Sequence, residues 1–542
     1  LDVGQLGGMY AGKIFLVGTE KGLGVRNAGS INATQQQLTL NANGDLVNAG
    51  NIIANKDQIQ ITAKDVKNTG NISSSTSQVT LQSQNLENAG LISSADELHL
   101  QNQNALNNSG KLNAARIVLD SGSLKNNGSI EQTGLQALDL KSGKMSNVGG
   151  KIGVAKKVED GGTGETGSGS IGNEGTGPIL PKDPAKDGGS LELAVPNGTK
   201  PKTYDAGYIH VKNTFNNDQG AVVANGAIDL VSQQGLDNQG GELNLGTVLV
   251  KGDTFNNNAG QLYTKKSDIN VKTFENNQGI LQSRSTLDIT SQTVENKAGK
   301  INAIGDVKLV VSADINNQQG QISSSSQVEI GSQNLNNNQG DIEAQHLVNI
   351  TTQGQLNNKE GKVLSGELMQ LKQQGLDNSQ GQISAQQLQI DNADKSLKNT
   401  KGQIVAVGDL KLKTGDLLNT EQGLLHSQGR LDIVSTQLVN QGVIQGQQQL
   451  NIHNAGQLTQ NHGTISSQGH VNIQSQQLDS DNQSAIAAGL NSKGEVDKNT
   501  AADLKIQTEK TLNNHGQLLA SQNIELSGST LDLSQGIIVA KN

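Results

Sequence analysis

Acid–base or metal chemistry in this chain would have to come from carboxylates and imidazoles. Cysteine and tryptophan are absent, and aromatic residues make up 1% of the sequence. The carboxylates can be followed through a recurring pair of alternating aliphatics, such as Val328 and Ile330 or Leu431 and Ile433, because the residue between such a pair points outward. That position reads Asp229, Leu249, Asn270, Asp288, Lys308, Glu329, Asn349, Gln370, Gln389, Lys411 and Asp432, and later Lys505 and Glu525. Polysaccharide cleavage needs a paired acid and base or an oxygen-rich cation cage. Here opposite charges follow one another instead, as in Asp288–Lys308–Glu329, Lys411–Asp432 and Lys505–Glu525. The row predicts surface ion pairs, each adding a few tenths of a kcal/mol at about the cross-strand scale.

Histidine gives no better centre. His462 and His515 both precede a recurring glycine, but at least two repeats separate them, roughly 10 Å at the spacing of stacked strands. One metal ion cannot bridge that distance. His453, His462 and His470 are close in sequence but fall at different points of adjacent turns, and no HExxH is present. Phe215, Phe255 and Phe274 occupy a slot that is aliphatic elsewhere, which predicts a core aromatic stack rather than a binding platform. No residue is therefore assigned as catalytic, cofactor-binding or metal-binding, and no cofactor is expected.

The elements that carry these residues are set by a repeat. Glycines recur at Gly29, Gly50, Gly70, Gly90, Gly110, Gly128 and Gly149. They resume at Gly220, Gly240, Gly260, Gly279, Gly299, Gly320, Gly340, Gly361, Gly381, Gly402, Gly423, Gly442 and Gly463; Ser484 takes the next slot, and Gly516 and Gly536 close the series. Each period of about twenty residues holds the alternating pair, a third aliphatic before the glycine (Leu335, Leu356, Leu376) and a fourth after it (Ile322, Ile342, Val363, Ile383, Ile404). A small residue follows two positions later (Ser324, Ala344, Ser365, Ala385, Ala406). Period-two alternation marks strands, the glycine after Asn or Gln marks a turn, and a sustained period marks a repeat architecture. One coil has too little apolar surface to fold alone, so coils must stack. The expected fold is all-β: a parallel β-helix, or β-solenoid, of about 20-residue coils. Some twenty-three coils would stack to roughly 110 Å. Asn48, Asn68, Asn88, Asn258, Asn338 and Asn378 precede the glycines and predict hydrogen-bonded asparagine ladders along the stack.

The expected organisation is coils over 1–158, a Gly/Pro-rich linker or protruding loop over 159–203, and a second array over 204–542 with a small insertion near 490–501. All five prolines, Pro178, Pro181, Pro184, Pro196 and Pro201, lie in the 159–203 segment, as expected of a residue that cannot donate to a ladder. A net charge of −9 with 41 basic and 50 acidic residues interspersed offers no basic stripe for nucleic acid. No apolar run is long enough for a transmembrane helix, and no signal peptide opens the chain. The chain begins in mid-motif, as a fragment of something longer would. The lack of cysteine is compatible with export through an oxidising compartment.

The segment from Leu6 to Gly29, LGGMYAGKIFLVGTEKGLGVRNAG, closely resembles the passage that leads into the repeats of filamentous haemagglutinin-type exoproteins. Units such as Leu335–Ala344 (LNNNQGDIEA) are similar to that family's haemagglutinin repeats, over all of the chain but the proline-rich segment. The resemblance implies a right-handed β-helix exported to the bacterial cell surface by an outer-membrane two-partner-secretion transporter. Family members include large adhesins and contact-dependent growth-inhibition proteins, which carry a C-terminal toxin on a long stalk. The family's N-terminal secretion domain, with its Asn-Pro motifs, is absent from a sequence whose first proline is Pro178. Val294-Glu295-Asn296-Lys297 approaches the family's toxin-boundary motif but sits in ordinary repeat phase, and no Arg-Gly-Asp occurs. The expected function is an extended surface stalk serving adhesion or toxin presentation, with a host or bacterial surface receptor as partner and no nucleic acid or membrane insertion. The alternatives are a carbohydrate-active β-helix enzyme and a receptor-binding module in the proline-rich insertion.

Overall fold

The computed structural model describes residues 1–19, 21, 23–134, 136–154, 207–223, 228–497 and 499–541. The 159–203 segment lies outside the described residues. Every element described is a strand or a turn, and strand pairing between coils is parallel throughout. The chain divides into two compact units, one of Leu1–Ile171, Ala194–Arg284 and Asp288–Ser291, the other of Gly172–Leu193, Ser285–Leu287 and Gln292–Asn542. Each is a parallel β-solenoid.

Strand register follows from the aliphatic pattern. In the second unit Val328 pairs with Val348, Val348 with Met369, Met369 with Leu388, Leu388 with Leu410 and Leu410 with Leu431. Like meets like because a one-residue slip would turn every inward aliphatic to solvent. The inward set is buried: Val328, Ile330, Leu335 and Ile342 expose at most 1% of their surface. The small position is also inside. Ser324 donates to the carbonyl of Gly305 in the preceding coil at 2.7 Å, and Ser427 does the same to Gly408 at 2.6 Å.

In the first unit, strand Asp139–Ser146 pairs directly with Gly207–Val211 and Phe215–Asn216, and strand Lys151–Val154 pairs with Ala221–Val223. Residues 155–206 thus connect two coils that are neighbours in the stack. A shorter detour lies between Ala488 and Leu504, where Leu490 and Val496 bridge antiparallel. Strand His470–Ser480 pairs across it with Leu504–Thr508.

The recurring glycine has a different job from the one its turn position implies. In the longer turns the left-handed residue is the one before it: Gln319 has φ 57°, Gln339 56°, Glu360 56° and Gln380 58°. Where the sequence reads Gly-Gly, Gly149 and Gly240 take that left-handed place. Gly150 and Gly241, not Gly149 and Gly240, are therefore the structural equivalents of Gly340. A Cβ on Gly340 would drive into the carbonyl oxygen of Asn317 in the preceding coil, and one on Gly361 into that of Asn337. Close approach of stacked backbones, not backbone dihedral, excludes a side chain there.

Candidate functional surfaces

A buried asparagine opens most of the glycine turns, and its amide hydrogen-bonds the next. In the first unit Asn27 donates to Asn48 at 2.7 Å, Asn48 to Asn68 at 2.7 Å and Asn68 to Asn88 at 2.8 Å, and the ladder continues through Asn147 and Asn217 to Asn276. In the second it runs from Asn296 through Asn317, Asn337, Asn358, Asn378, Asn399, Asn419 and Asn440 to Gln460. Each Nδ2 also reaches backbone carbonyls, as Asn337 does with Gly340 at 3.0 Å and Lys362 at 3.1 Å. Asn258 and Asn338 are not in the ladder. Asn257 and Asn337 are, and the next residue in each case is half-exposed in the turn. The extra turn residue between Asn and Gly in these coils shifts the phase by one.

Two of the expected outward pairs form. Lys308 and Glu329 lie 3.0 Å apart, as do Lys505 and Glu525. Lys411 and Asp432 are register partners, but Asp432 accepts from Asn451 at 2.7 Å. Around them Asn349, Gln370, Lys372, Gln389, Asp391 and Lys413 help line a shallow open groove of about 610 Å³. Asp391 faces Lys413 at 4.0 Å.

One outward row has no counterpart in the sequence reading, which followed only the residue between the alternating pair. The residue between the post-glycine aliphatic and the small position points away from the core, and it is half-exposed in many coils but buried at Ser384, Ser466 and Ala487. In strand Asp341–Ala344 this row carries Glu343, two residues from Asp341. Burial pushes both carboxyls up, and for Glu343 the neighbouring Asp341 adds to the effect while Lys362 opposes it. Further along the row, burial pushes the His426 imidazole down. Taking the residue that follows each post-glycine aliphatic would have found this row.

His453, His462 and His470 are exposed surface residues. His462 occupies a left-handed turn position with φ 61° and faces Asp481 at 2.8 Å. His453 contacts Gln474 at 3.2 Å, and His470 accepts from the Asp503 backbone at 3.0 Å. Among the described residues no group of three metal-ligating side chains converges. Phe215, Phe255 and Phe274 are fully buried, with Leu236 between the first two and edge-to-face contact at 5.3 Å between the last two. Val294 is core and Asn296 a ladder residue, so VENK is one repeat turn. The lead-in coil departs from the pattern by turning Tyr10, Phe15 and Val17 outward, where they are exposed.

Haemagglutinin-repeat models match residues 7–88, 74–153, 188–265, 264–318, 296–360, 357–395, 394–435, 432–497 and 494–542. The chain belongs to the haemagglutinin-repeat family. Three relatives share short stretches with it. Toxin CdiA of Yersinia pestis is 58% identical over 52 residues, 10% of this chain and 2% of that protein. tRNA nuclease CdiA-2 of Burkholderia pseudomallei strain 1026b is 60% identical over 50 residues, 9% and 2%. tRNA nuclease CdiA of Yersinia mollaretii is 47% identical over 66 residues, 11% and 2%. The matched stretches thus span about 2% of the length of these relatives. No solved structure matches. No helix described is long and apolar enough to cross a membrane.

Proposed function

We propose that this haemagglutinin-repeat solenoid is part of the shaft of a secreted bacterial surface protein and acts by spacing rather than by chemistry. The observation that carries the reading is the ladder itself: each coil's backbone, asparagine and aliphatics are satisfied by the next coil. Some outward charges pair across neighbouring coils, as Lys308 does with Glu329, and a repeat array built this way lengthens without new chemistry. The relatives' names favour toxin presentation over adhesion, with the nuclease activity residing outside the repeats. Export through an outer-membrane two-partner-secretion transporter and exposure at the cell surface follow from the same kinship. The shaft is non-enzymatic in this reading.

The test uses the full parent protein displayed on donor cells, with inhibition of touching target cells as readout. Removing whole coils should weaken delivery gradually, whereas alanine at single outward positions such as Lys308 should leave it unchanged. Loss of delivery from one outward alanine, with coil deletions silent, would place a receptor site in the shaft instead. A second reading, polysaccharide cleavage, draws on the two half-buried carboxyls of Asp341 and Glu343. It requires turnover of acidic polysaccharide that Glu343→Gln abolishes, and none is expected with or without calcium. A receptor-binding module in 159–203 predicts that deleting that segment alone abolishes target binding.

A further inference from the structure

Among the described residues, glycine directly follows asparagine at Asn43-Gly44 and at Asn127-Gly128, and both asparagines are exposed. Asn197-Gly198 and Asn225-Gly226 lie outside the described residues. An asparagine side chain can be attacked by the backbone nitrogen of the next residue, and glycine hinders that approach least because it has no Cβ and the freest backbone. The reaction is intramolecular, so its rate follows how well the two groups are placed. The fold places the two pairs differently.

Gly128 is one of the recurring glycines. Its N–H donates to the Asn108 carbonyl at 3.1 Å, and Asn127 N–H donates to the same oxygen at 2.8 Å. A Cβ on Gly128 would drive into the Gly110 carbonyl, so this backbone is packed hard against the preceding coil. Attack by the Gly128 nitrogen has to break a bond between coils first. Gly44 stands outside the glycine series, in the bend between strands Leu38–Ala42 and Asp45–Asn48. The bend is held by Asn43 N–H on the Gly18 carbonyl at 2.8 Å and by Lys64 N–H on the Gly44 carbonyl at 3.0 Å. Among the described residues the Gly44 N–H has no acceptor. Asn43 also lines an open groove of about 650 Å³ together with Lys21, Lys64 and the amides of Gln82, Gln84 and Gln101, and none of the described lining residues is a carboxylate. Two ammonium groups there favour loss of the Gly44 proton and the negative charge that develops on the attacked amide oxygen.

We propose that Asn43 is a self-modification site, which converts through a cyclic imide to aspartate and isoaspartate. The Gly44 nitrogen bonds to Asn43 Cγ, the Cγ–Nδ2 bond breaks, and ammonia leaves with the Gly44 proton. Water then opens the ring at either imide carbonyl. Opening at one gives aspartate; opening at the other gives isoaspartate, in which the chain runs through the side-chain carbon. Either product sets a carboxylate in the groove that Lys21 and Lys64 line, and the chain becomes more acidic. Asn43 Nδ2 donates to the Thr19 carbonyl at 3.2 Å, so either product also removes a bond to the lead-in coil.

The test holds the native chain at mildly alkaline pH and follows both sites by peptide mass mapping, with the isomeric products separated by chromatography. The Asn43 peptide should gain the mass of an amide-to-acid change and split into aspartate and isoaspartate forms. The Asn127 peptide should change on the order of tenfold more slowly, about the factor that one hydrogen bond of ordinary net strength supplies. In denaturant the two rates should converge, since the fold alone separates them. Replacing both lysines, Lys21→Gln with Lys64→Gln, should slow Asn43 and leave Asn127 unchanged, with the strand circular dichroism retained. The assignment is overturned if Asn127 keeps pace with Asn43 in the native chain, or if the gap persists in denaturant. A rate at Asn43 that ignores the lysine replacements would equally overturn the part given to the groove.

Discussion

Asn337 and Asn338 carry the same amide on adjacent residues, yet one is sealed in the ladder and the other is half-exposed in the turn. Asn337→Ala removes donors to Asn358, Gly340 and Lys362 and leaves the Asn317 amide without its acceptor. It should cost roughly 2–3 kcal/mol, the scale of stranded buried polar groups. Asn338→Ala should stay within about 0.5 kcal/mol, as surface changes do; chemical denaturation of the two variants side by side checks the difference. The neighbouring turn makes an inverse pair. Gly340→Ala should destabilise strongly because its Cβ meets the Asn317 carbonyl, while Gln339→Gly should be neutral or stabilising by up to ~1 kcal/mol, since it relieves a left-handed glutamine. Glu343 adds a pH dependence. Its carboxyl is held above the ordinary range by burial, so the folded state favours the protonated form. That favourable contribution is complete at acid pH and is lost as pH rises through the raised folded value. Glu343→Gln should therefore stabilise at neutral pH, by less than ~1 kcal/mol for a side chain that is still partly screened by solvent, and the gain should vanish near pH 3. Thermal melts across pH measure it.

At the scale of elements, the strand pairing around the 155–206 segment has a direct consequence. The coils on either side are hydrogen-bonded neighbours, with Asn147 donating to Asn217 at 2.7 Å. From its Gly- and Pro-rich composition, 159–203 should be the first site cut in limited proteolysis. The two fragments should then co-migrate under native conditions and separate only in denaturant. Fragments that part on native gel filtration would contradict the direct stacking. The insertion reads in sequence as a linker or a loop; the pairing of Lys151–Val154 with Ala221–Val223 is what makes the two coils adjacent. A gap in repeat phase records an insertion's length but not whether the stack continues across it.

At the scale of the whole molecule, each coil depends on its neighbours and on little else. Deleting Asp341 to Gly381 removes two complete coils, because Asp341, Lys362 and Gln382 are successive register partners. The shortened chain should fold and retain its strand spectrum and melting cooperativity. A deletion of the same length plus one residue should fail to fold, since it turns one coil's inward aliphatics outward. Soluble yield and circular dichroism of the two deletion variants decide it. Graded delivery by such deletions is the corresponding expectation for the parent protein.

The sequence by itself determined the strands, the coil period, the inward aliphatics and the kinship with haemagglutinin repeats. Each is encoded locally and repeated many times, as Val328, Val348 and Leu388 show. Only the tertiary structure decided which asparagine enters the ladder, why glycine is needed after it, and that the post-glycine strands form a second outward face. Those depend on the distance between residues some twenty positions apart. The Asn-to-Gly step is two residues at Asn48–Gly50, three at Asn337–Gly340 and four at Asn419–Gly423, so counting back from glycine loses the phase. The close approach of Gly340 to the Asn317 carbonyl exists only once one coil lies on the next.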